Sequence, residues 1–407
     1  MAAELHPRIL IVTRNLPPLV GGMERLNWHM ADELSKTADV RVVGPSGCAA
    51  MIPAGVVVRE AGLQPLWKFL LKAWALARRE ARAWKPDVVL AGSGLTAPIA
   101  RSAARLCGAK TCVYVHGLDV AVRHPVYRAI WLRAIRGADR VIANSHATAE
   151  LCRNVEVDPA NIAIVHPGVD LPVEGDGQSE RGAAQFREAH HLGNRPLLLS
   201  VGRLSTRKGL REFVAEALPR IVAVRPDAML LIVGDVPAHA LHAMSQTPAS
   251  IQALANAAGI GGHVRFLGWI TDVEQLDAIY QAADVHVFPV REIPGDPEGF
   301  GMVAVEAAAQ GLPTVAFATG GIVDAIDAGR SGFLVAPGDY TGLADAVIEV
   351  LSGGEAWADT ARAFAEDFSW ERFGQRVMHE LFCSDAGAAP TIHDGAGRSQ
   401  IDAHGDG

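Results

Sequence analysis

Short continuous runs of apolar residues recur along the chain, and segments with helical or turn-rich patterns separate them. In the first half these runs lie at residues 8–13, 39–43, 87–91, 111–115, 140–144 and 162–165. Uninterrupted apolar runs of this length are typical of parallel strands that are buried on both faces. Helical patterns alternate with them, for example at residues 24–35 and 97–106. The first half is therefore predicted to be an α/β domain built on a parallel sheet.

A polar segment at residues 171–195 interrupts this alternation, and we interpret it as a hinge and connecting segment. The predicted strands then resume at residues 197–201, 229–233, 264–266, 285–288, 314–317 and 333–335. The predicted fold class is thus α/β, with two Rossmann-like doubly wound domains at residues 1–170 and 196–366. A last helix is expected at residues 370–383. The tail at 386–407, rich in Ala, Gly and Asp, is expected to be disordered.

Length and composition agree with a division into two domains. The chain has 407 residues, of which 49% are hydrophobic and 20% charged, which is the balance of a globular protein too long for one ordinary core. Neither a signal peptide nor a segment able to span a bilayer is expected. The five cysteines, at positions 48, 107, 112, 152 and 383, form no Cys-x-x-Cys pair. We therefore expect reduced thiols in the cytoplasm and no zinc site.

Charge is distributed unevenly along the chain. The net charge is −8, but residues 1–180 carry 21 basic and 17 acidic residues (+4), whereas residues 181–407 carry 16 and 28 (−12). Residues 59–140 alone carry 15 basic and 5 acidic residues, a net charge of +10. The first domain is therefore expected to present a positive face.

Two segments of the first domain combine this positive charge with aromatic side chains at helical spacing. Their basic and aromatic residues are Trp67, Lys68, Lys72, Trp74, Arg78, Arg79 and Arg82, and then Tyr127, Arg128, Trp131, Arg133 and Arg136. Tryptophans beside cations on an amphipathic helix favour peripheral association with an anionic membrane. An ordinary helix that packs on the sheet with a solvated basic face is the alternative. Nucleic acid is not expected as a partner, because no recognised nucleic-acid-binding module accompanies the charge.

Two glutamates, Glu298 and Glu306, flank a glycine-rich turn into a predicted helix. Gly299 and Gly301 let the backbone approach a ligand closely, and a helix beginning at Met302 would direct its first N–H groups at a phosphate. A carboxylate beside a phosphate is repelled unless it binds hydroxyl groups, so this pair suits a ligand with a central diphosphate and a sugar at each end. The alternative is a capping Glu298 and a solvated Glu306.

A basic loop follows the first predicted strand of the second domain. Gly202 ends that strand, and Arg203 and Lys208 lie on the loop at its carboxyl end, where open α/β sheets bind their ligands. Arg203 and Lys208 can neutralise a leaving diphosphate, the first by bidentate contact and the second as a point charge. The alternative is a solvated basic loop, because Arg207 and Lys208 are adjacent charges.

Three weaker signals lie in the first domain. Gly21 and Gly22 open a helix after the first strand and can present backbone N–H groups to a phosphate. His116 ends a buried strand, where a site would lie, although a lone histidine is more often structural. Residues 92–97 fit the dinucleotide pattern G-x-G-x-x-A, but the next strand ends in His116 rather than in an acidic residue, which disfavours NAD.

Taken together, these residues resemble the family-four retaining glycosyltransferases, a GT-B group of bacterial mannosyl-, glucosyl- and N-acetylhexosaminyltransferases. The resemblance extends from the glycine pair at 21–22 to the last helix, and includes residues 144–145, 166–170 and 319–321. It implies two Rossmann-like domains that face each other across a cleft. It also implies that the helix at 370–383 crosses back to complete the first, acceptor-side domain.

The resemblance also implies roles for individual residues. Glu306 would bind the ribose of the nucleotide, Arg203 and Lys208 the diphosphate, and Glu298 the donor sugar, with His116 near the reacting centre. The implied catalytic residues are His116, Arg203, Lys208 and Glu298. The implied donor-binding residues are Gly22, Arg203, Lys208, Gly234, Trp269, Glu298, Gly299, Phe300, Gly301, Met302, Val303 and Glu306.

The expected activity is the transfer of a hexose such as mannose from a GDP- or UDP-sugar to a lipid-linked or cell-surface glycan acceptor. It would take place in the cytoplasm, at the inner face of the membrane. Retention without an obvious nucleophile is typical of front-face displacement, in which the enzyme stabilises the departing diphosphate. The chain contains no Asp-x-Asp sequence, which disfavours the metal-anchored transferase type, so no obligatory metal is expected. No other cofactor is expected either. A nucleotide-sugar epimerase, a pyridoxal-dependent phosphorylase and a nucleotide-sugar sensor remain alternatives.

Overall fold

The computed structural model describes residues 6–172, 178–236, 246–353 and 357–382, and side chains from residue 181 onward in the second range. The first sheet contains seven strands, all parallel, in the order β3-β2-β1-β4-β5-β6-β7. These strands are β1 (Arg8–Val12), β2 (Asp39–Pro45), β3 (Val57–Ala61), β4 (Val88–Ala91), β5 (Lys110–Val115), β6 (Arg140–Ala143) and β7 (Ile162–Ile164). Only β3, an edge strand with alternating burial, was not predicted.

Helices cover both faces of this sheet. They are α1 (Gly22–Ser35), α2 (Leu66–Trp84), α3 (Ala97–Cys107), α4 (Leu118–Ala121), α5 (Pro125–Tyr127), α6 (Arg133–Arg136) and α7 (His146–Asn154). Between α5 and α6, Arg128–Leu132 form a π-helical turn. One core cluster joins α2 and α3 to one face of the sheet, and another joins α1 to the opposite face. Burial on both faces explains why the central strands are continuously apolar.

The second sheet contains six parallel strands in the order β10-β9-β8-β11-β12-β13. They are β8 (Leu197–Val201), β9 (Met229–Val233), β10 (Val264–Gly268), β11 (Val285–Phe288), β12 (Thr314–Phe317) and β13 (Gly332–Val335). The helices of this half are α8 (Gln178–Ala189), α9 (Leu210–Glu216), α10 (Leu218–Val224), α11 (Pro248–Ala257), α12 (Val273–Ala282), α13 (Met302–Ala309), α14 (Ile322–Ala325), α15 (Tyr340–Ser352) and α16 (Ala358–Ala365).

The last helix, α17 (Trp370–Phe382), returns to the first sheet. Trp370 stacks on His29 of α1 with ring centroids 3.9 Å apart, and Phe373 packs edge-on against Tyr114 of β5. The Arg140 guanidinium of β6 also pairs with Glu380. The chain therefore crosses between the two halves twice, once near residue 170 and once near residue 369.

The predicted α/β class with two Rossmann-like doubly wound domains is confirmed. Residues 173–177 of the predicted connecting segment, and the tail predicted to be disordered at 386–407, lie outside the described residues. Among the helices that the structure describes, none combines the length and the apolar character needed to cross a bilayer. Cys48, Cys107, Cys112 and Cys152, the cysteines within the described ranges, are all free thiols.

Candidate active site

The glycine-rich turn before α13 brings the two domains into contact. Helix α13 begins at Met302, as predicted, and Gly301 precedes it with a φ of 94°, a conformation that favours glycine. A Cβ at Gly299 would collide with the carbonyl oxygen of His116 in the first domain. Phe300 is buried and stacks on the ring of His166, with centroids 5.3 Å apart. The backbone of the turn therefore packs directly against the backbone of the first domain at His116.

Glu298 forms a buried ion pair with Lys208 of the basic loop. The Lys208 Nζ donates to Glu298 Oε2 at 2.9 Å, and Arg207 Nε lies 3.6 Å from the same oxygen. Burial by itself would raise the pKa of Glu298, but the charges of Lys208 and Arg207 outweigh it and lower the pKa to about 2. Glu298 is therefore ionised at neutral pH. It does not cap α13, whose N-cap is Gly301 without a side-chain hydrogen bond.

The solvated-loop alternative for the basic residues is wrong for two of the three cations. The side chains of Arg207 and Lys208 are each 14% exposed. The Lys208 ammonium also lies 4.5 Å from the centre of the Phe288 ring, and burial lowers its pKa against the opposing effect of Glu298. Arg203 is exposed and forms no ion pair within the described ranges, but its charge acts on both Glu298 and Lys208. Among the described residues, this loop therefore carries one exposed guanidinium without an ion-pair partner and one buried ammonium.

Arg207 contacts the residues that precede Glu298, a structural role that the sequence did not reveal. Its Nη1 donates to the carbonyl oxygen of Pro297 at 2.6 Å and lies 3.4 Å from the Asp296 carboxylate. Because Pro297 directly precedes Glu298, this contact fixes the start of the glycine-rich turn relative to the basic loop. In the sequence, the only indication of this contact was the pair of adjacent positive charges at 207 and 208.

Glu306 is paired rather than solvated, so that part of the alternative is also wrong. Its side chain is 17% exposed, Oε1 pairs with Arg25 of α1, and Oε2 accepts from the Tyr280 hydroxyl at 3.2 Å. Burial opposes the charged form of Arg25, but Glu306 outweighs it and the pKa of Arg25 is raised. The carboxylate is thus held by one residue from each domain. Sequence reasoning assigned no role to either Arg25 or Tyr280.

Gly22 and His116 are the predicted site residues in the first domain, and both face the glycine-rich turn. A Cβ at Gly22 would lie 3.5 Å from the Met302 sulfur. The His116 Nε2 donates to the Gly92 carbonyl oxygen at 2.9 Å, and its backbone N–H donates to Asp119 Oδ1 at 3.0 Å. Because a carbonyl only accepts, the neutral ring carries its proton on Nε2 and leaves Nδ1 as an acceptor.

The G-x-G-x-x-A sequence at 92–97 accepts a hydrogen bond from the His116 ring, and it does not form an open site for a dinucleotide. A Cβ at Gly92 would collide with Asn27 Oδ1 and lie 2.8 Å from Thr13, so protein atoms already occupy the space beside it. The Gly94 N–H donates to Asp119 Oδ2 at 2.8 Å. The loop and Asp119 together position His116.

The remaining predicted donor-binding residues lie along the carboxyl edge of the second sheet. The Gly234 N–H donates to the Gly268 carbonyl at 2.8 Å, and a Cβ at Gly234 would collide with the Gly202 backbone. Trp269 follows β10 and is 48% exposed, and Val303 lies half-buried in the first turn of α13. Open α/β sheets bind ligands at this edge.

A second contact between the domains lies beside Phe300. Asp324 of α14 accepts from the backbone N–H of His146 at 2.6 Å, and its other oxygen lies 3.1 Å from His146 Nδ1. His146, His166 and Asp324 place their ligand-type atoms within 4.8 Å of one another, a grouping compatible with a cation but also with a simple domain contact. The expectation that no metal is required stays a prediction.

Comparison with known proteins assigns the chain to a family. The model described as Glycosyltransferase Family 4 matches residues 20–172, and the one described as Glycosyl transferases group 1 matches residues 183–366. The GDP-mannose-dependent alpha-(1-6)-phosphatidylinositol monomannoside mannosyltransferase of Mycobacterium tuberculosis (strain CDC 1551 / Oshkosh) is 30% identical over 358 residues, 84% of this chain and 89% of that protein.

Of two further comparisons, one is a relative that matches part of the chain and the other is a solved structure with the same fold. A D-inositol 3-phosphate glycosyltransferase of Geodermatophilus obscurus is 36% identical over 246 residues, 59% of this chain and 51% of that protein. The solved structure of Anabaena HepE in complex with UDP has a TM-score of 0.75 at 22% identity, over 92% of this chain and 99% of that chain. The chain therefore belongs to the family-four glycosyltransferases, and it is a hexosyltransferase with the GT-B fold that the motifs predicted.

Proposed function

We propose that this protein transfers mannose, with retention, from GDP-mannose to a phosphate-bearing glycolipid. The observation that carries the transfer chemistry is the buried Glu298–Lys208 pair beside the first turn of α13. The mycobacterial relative is GDP-mannose-dependent and acts on a phosphatidylinositol monomannoside, which supports both the donor and the acceptor class. An α-linked product from an α-linked donor is the retaining outcome, and the linkage in that relative's name is alpha.

The charges around the diphosphate would supply the catalysis. Lys208, Arg203 and the first N–H groups of α13, which no side chain caps, would stabilise the charge that the leaving diphosphate gains. Glu298, with a pKa of about 2, has no proton to donate at neutral pH, so it cannot act as the general acid of a glycosidase-type pair. It would instead hold hydroxyl groups of the donor sugar, and Glu306 those of the ribose. The departing diphosphate would take the acceptor proton.

The first test is release of GDP or UDP against a panel of nucleotide sugars, with and without a phosphatidylinositol monomannoside acceptor. We expect acceptor-dependent GDP release from GDP-mannose and an α-mannoside product by NMR. Activity should persist in EDTA if no metal takes part. Absence of both binding and turnover with every donor would overturn the proposal.

The same assay separates the alternatives. An epimerase would convert the nucleotide sugar without an acceptor product, a phosphorylase would show pyridoxal absorbance, and a sensor would bind the donor tightly without turnover. The mannosyltransferase relative favours transfer over each of them.

We also propose that the first domain binds the inner face of the cytoplasmic membrane. Lys68, Lys72 and Arg79 are exposed along α2, in the stretch that carries a net charge of +10. Reversing these three charges should abolish sedimentation with anionic vesicles, whereas reversing the exposed Arg220, Arg330 and Arg362 of the second domain should not. Equal binding by both triple variants would contradict the assignment.

A further inference from the structure

An apolar groove opens on the surface of the first domain, between α2, the start of α3 and the π-helical turn. Its volume is about 350 Å³, and the side chains that line it include Leu71, Trp74, Leu95, Ile99 and Trp131. The lining is almost wholly apolar although Leu71 is 60% and Trp74 43% exposed. Leaving such side chains in water costs free energy, so a groove of this kind is typical of a surface that an apolar ligand covers.

A second, more polar cavity of about 250 Å³ lies between the domains. It is lined by Arg123 and Arg128 from the first domain, and by Ile293, Gly295 and Pro297 from the loop that leads to Glu298. Within the described ranges, neither arginine side chain forms an ion pair or hydrogen bond. Two guanidinium groups without protein partners beside the glycine-rich turn are suited to a phosphate.

One short helical segment lines both cavities. Arg128 lines the interdomain cavity and Trp131 lines the apolar groove, and only two residues separate them in the chain. Both residues belong to the π-helical turn Arg128–Leu132, a rare conformation that is frequent at functional sites. Tyr127 stacks on Trp131 with centroids 5.3 Å apart, which stiffens the segment.

The groove is also connected to His116. The Trp131 Nε1 donates to the Leu95 carbonyl at 2.8 Å, and Leu95 belongs to the loop whose Gly92 carbonyl accepts from His116. A molecule with its chain against Leu95 and its phosphate at Arg123 and Arg128 would therefore place its head group beside Pro297, which lines the same cavity as the two arginines.

We infer that the two cavities form one bipartite acceptor site, in which Arg123 and Arg128 bind the phosphate of a lipid acceptor and the apolar groove takes one of its acyl chains. This inference rests on the proposed transfer reaction and assigns the residues that would bind the phosphate and the acyl chain of its lipid acceptor. The alternative is the water-soluble inositol phosphate type of acceptor named for the Geodermatophilus obscurus relative. Positive charge beside an apolar groove matches an anionic amphiphile, and a soluble acceptor would leave the groove without a ligand.

The test compares kcat/KM for three monomeric acceptors with GDP-mannose as donor: a short-chain phosphatidylinositol mannoside, its deacylated glycerophosphoinositol mannoside, and a neutral short-chain diacylglycerol mannoside. We expect the first to exceed each of the others by at least about tenfold, because one lacks the methylene groups that leave water and the other lacks the phosphate. Equal use of the acylated and deacylated acceptors would overturn the inference while leaving mannosyl transfer intact. Loss of donor binding and of all transfer would instead refute the proposed function.

Two tryptophans of α2 provide a matched pair of variants. Trp74 lines the groove, whereas Trp67 is 58% exposed on the same helix and does not. Trp74→Ser should lower kcat/KM about tenfold for the acylated acceptor alone, since the deacylated acceptor lacks the chain that leaves water. Trp67→Ser should keep the wild-type ratio. Leu71→Ser, at a more exposed position, repeats the test if Trp74→Ser unfolds, and an unchanged ratio in both groove variants would overturn the inference.

Replacing Arg128 tests the phosphate half of the site separately. Arg128→Gln should lower kcat/KM about tenfold for the phosphate-bearing lipid, because one charge-assisted contact is lost, and should leave the neutral lipid unaffected. An equal loss with both lipids would show that Arg128 does not bind the phosphate.

Discussion

Glu298 and Lys208 depend on each other for their charge. Both side chains are nearly buried and they share the 2.9 Å contact. Removing Glu298 leaves the Lys208 ammonium without its carboxylate, and removing Lys208 leaves Glu298 with only the longer Arg207 contact. Breaking a buried pair in this way costs about 3–5 kcal/mol. We therefore expect Glu298→Gln and Lys208→Met each to lower the melting temperature as well as the rate of GDP release.

The double variant separates stability from catalysis at this pair. Glu298→Gln combined with Lys208→Met removes both charges, so its melting temperature should exceed that of Lys208→Met while its activity stays lost. Calorimetry and GDP-release assays on all three proteins provide the comparison. A double variant less stable than both single variants would show that the pair is not the source of the stability loss.

Asp277 offers a pH-dependent test beside the ribose-binding candidate Glu306. Burial raises the pKa of Asp277 to about 6, and the charges of Asp170 and Glu306 act in the same direction. The stability contributed by its protonated form is present below pH 4 and is lost as pH rises through about 6. Asp277→Asn should therefore stabilise the protein by about 1 kcal/mol at pH 7.5, after discounting for solvent screening, and by little near pH 4.

Thermal unfolding at the two pH values measures this difference directly. Asp359→Asn serves as the control, because it removes the same charge from a side chain that is 99% exposed. If the two variants behave alike across the pH range, the raised pKa of Asp277 is not a property of the folded protein.

At the scale of elements, burial decided which features were predictable from sequence. Strands β9 and β12 begin and end where the apolar runs predicted, because both faces of each strand are buried. Strand β3 was missed because it lies at the edge of the sheet, where alternating exposure places Arg59 and Glu60 in an otherwise apolar run.

The candidate site was predictable only as far as its motifs are local. Glu298 and Lys208 each belong to a glycine-containing turn that follows a strand, a pattern visible in the sequence. Arg25 and Tyr280 lie on helices with no such signal, and only the packing of α1 and α12 around α13 brings them to Glu306. The Arg25 contact depends on the relative position of the two domains, and the Tyr280 contact depends on helix packing within the second domain; no local pattern encodes either.

The turn at Gly299 yields a prediction at the level of the element. A Cβ there would collide with the His116 carbonyl and lie 2.9 Å from Asn144 Nδ2, so the two domains would have to separate slightly. A displacement of about 1 Å at a reacting centre lowers the rate about 100-fold. Gly299→Ala should therefore lower kcat by roughly this factor with little change in melting temperature.

Gly262→Ala is the control for this turn, because its Cβ would meet no atom within 4 Å. Steady-state kinetics gives kcat, and calorimetry gives the melting temperature, for both variants. Wild-type kcat in Gly299→Ala would mean that the contact with His116 is not required for transfer.

At the scale of the whole molecule, two chain crossings join the domains, and within the described parts of the chain two polar side-chain contacts bridge the cleft between them. The crossings meet where the Val169 N–H donates to the Phe368 carbonyl at 2.7 Å. Away from this hinge, Arg25 pairs with Glu306 and Asp324 accepts from His146. Two short crossings allow one domain to rotate relative to the other. The side-chain contacts between the domains therefore set the fraction of molecules in which the cleft is closed.

Loss of those contacts should shift the molecule toward a more open arrangement. Each polar contact between domains is worth about 1 kcal/mol, or roughly a fivefold change in the ratio of open to closed molecules. We expect the combined variant Arg25→Met with Asp324→Ala to show a larger radius of gyration by X-ray scattering and a higher KM for the acceptor. Asp345→Ala, which removes a contact with Arg220 inside the second domain, should change neither quantity. Unchanged scattering in the combined variant would mean that the hinge and the glycine-rich turn alone keep the cleft closed.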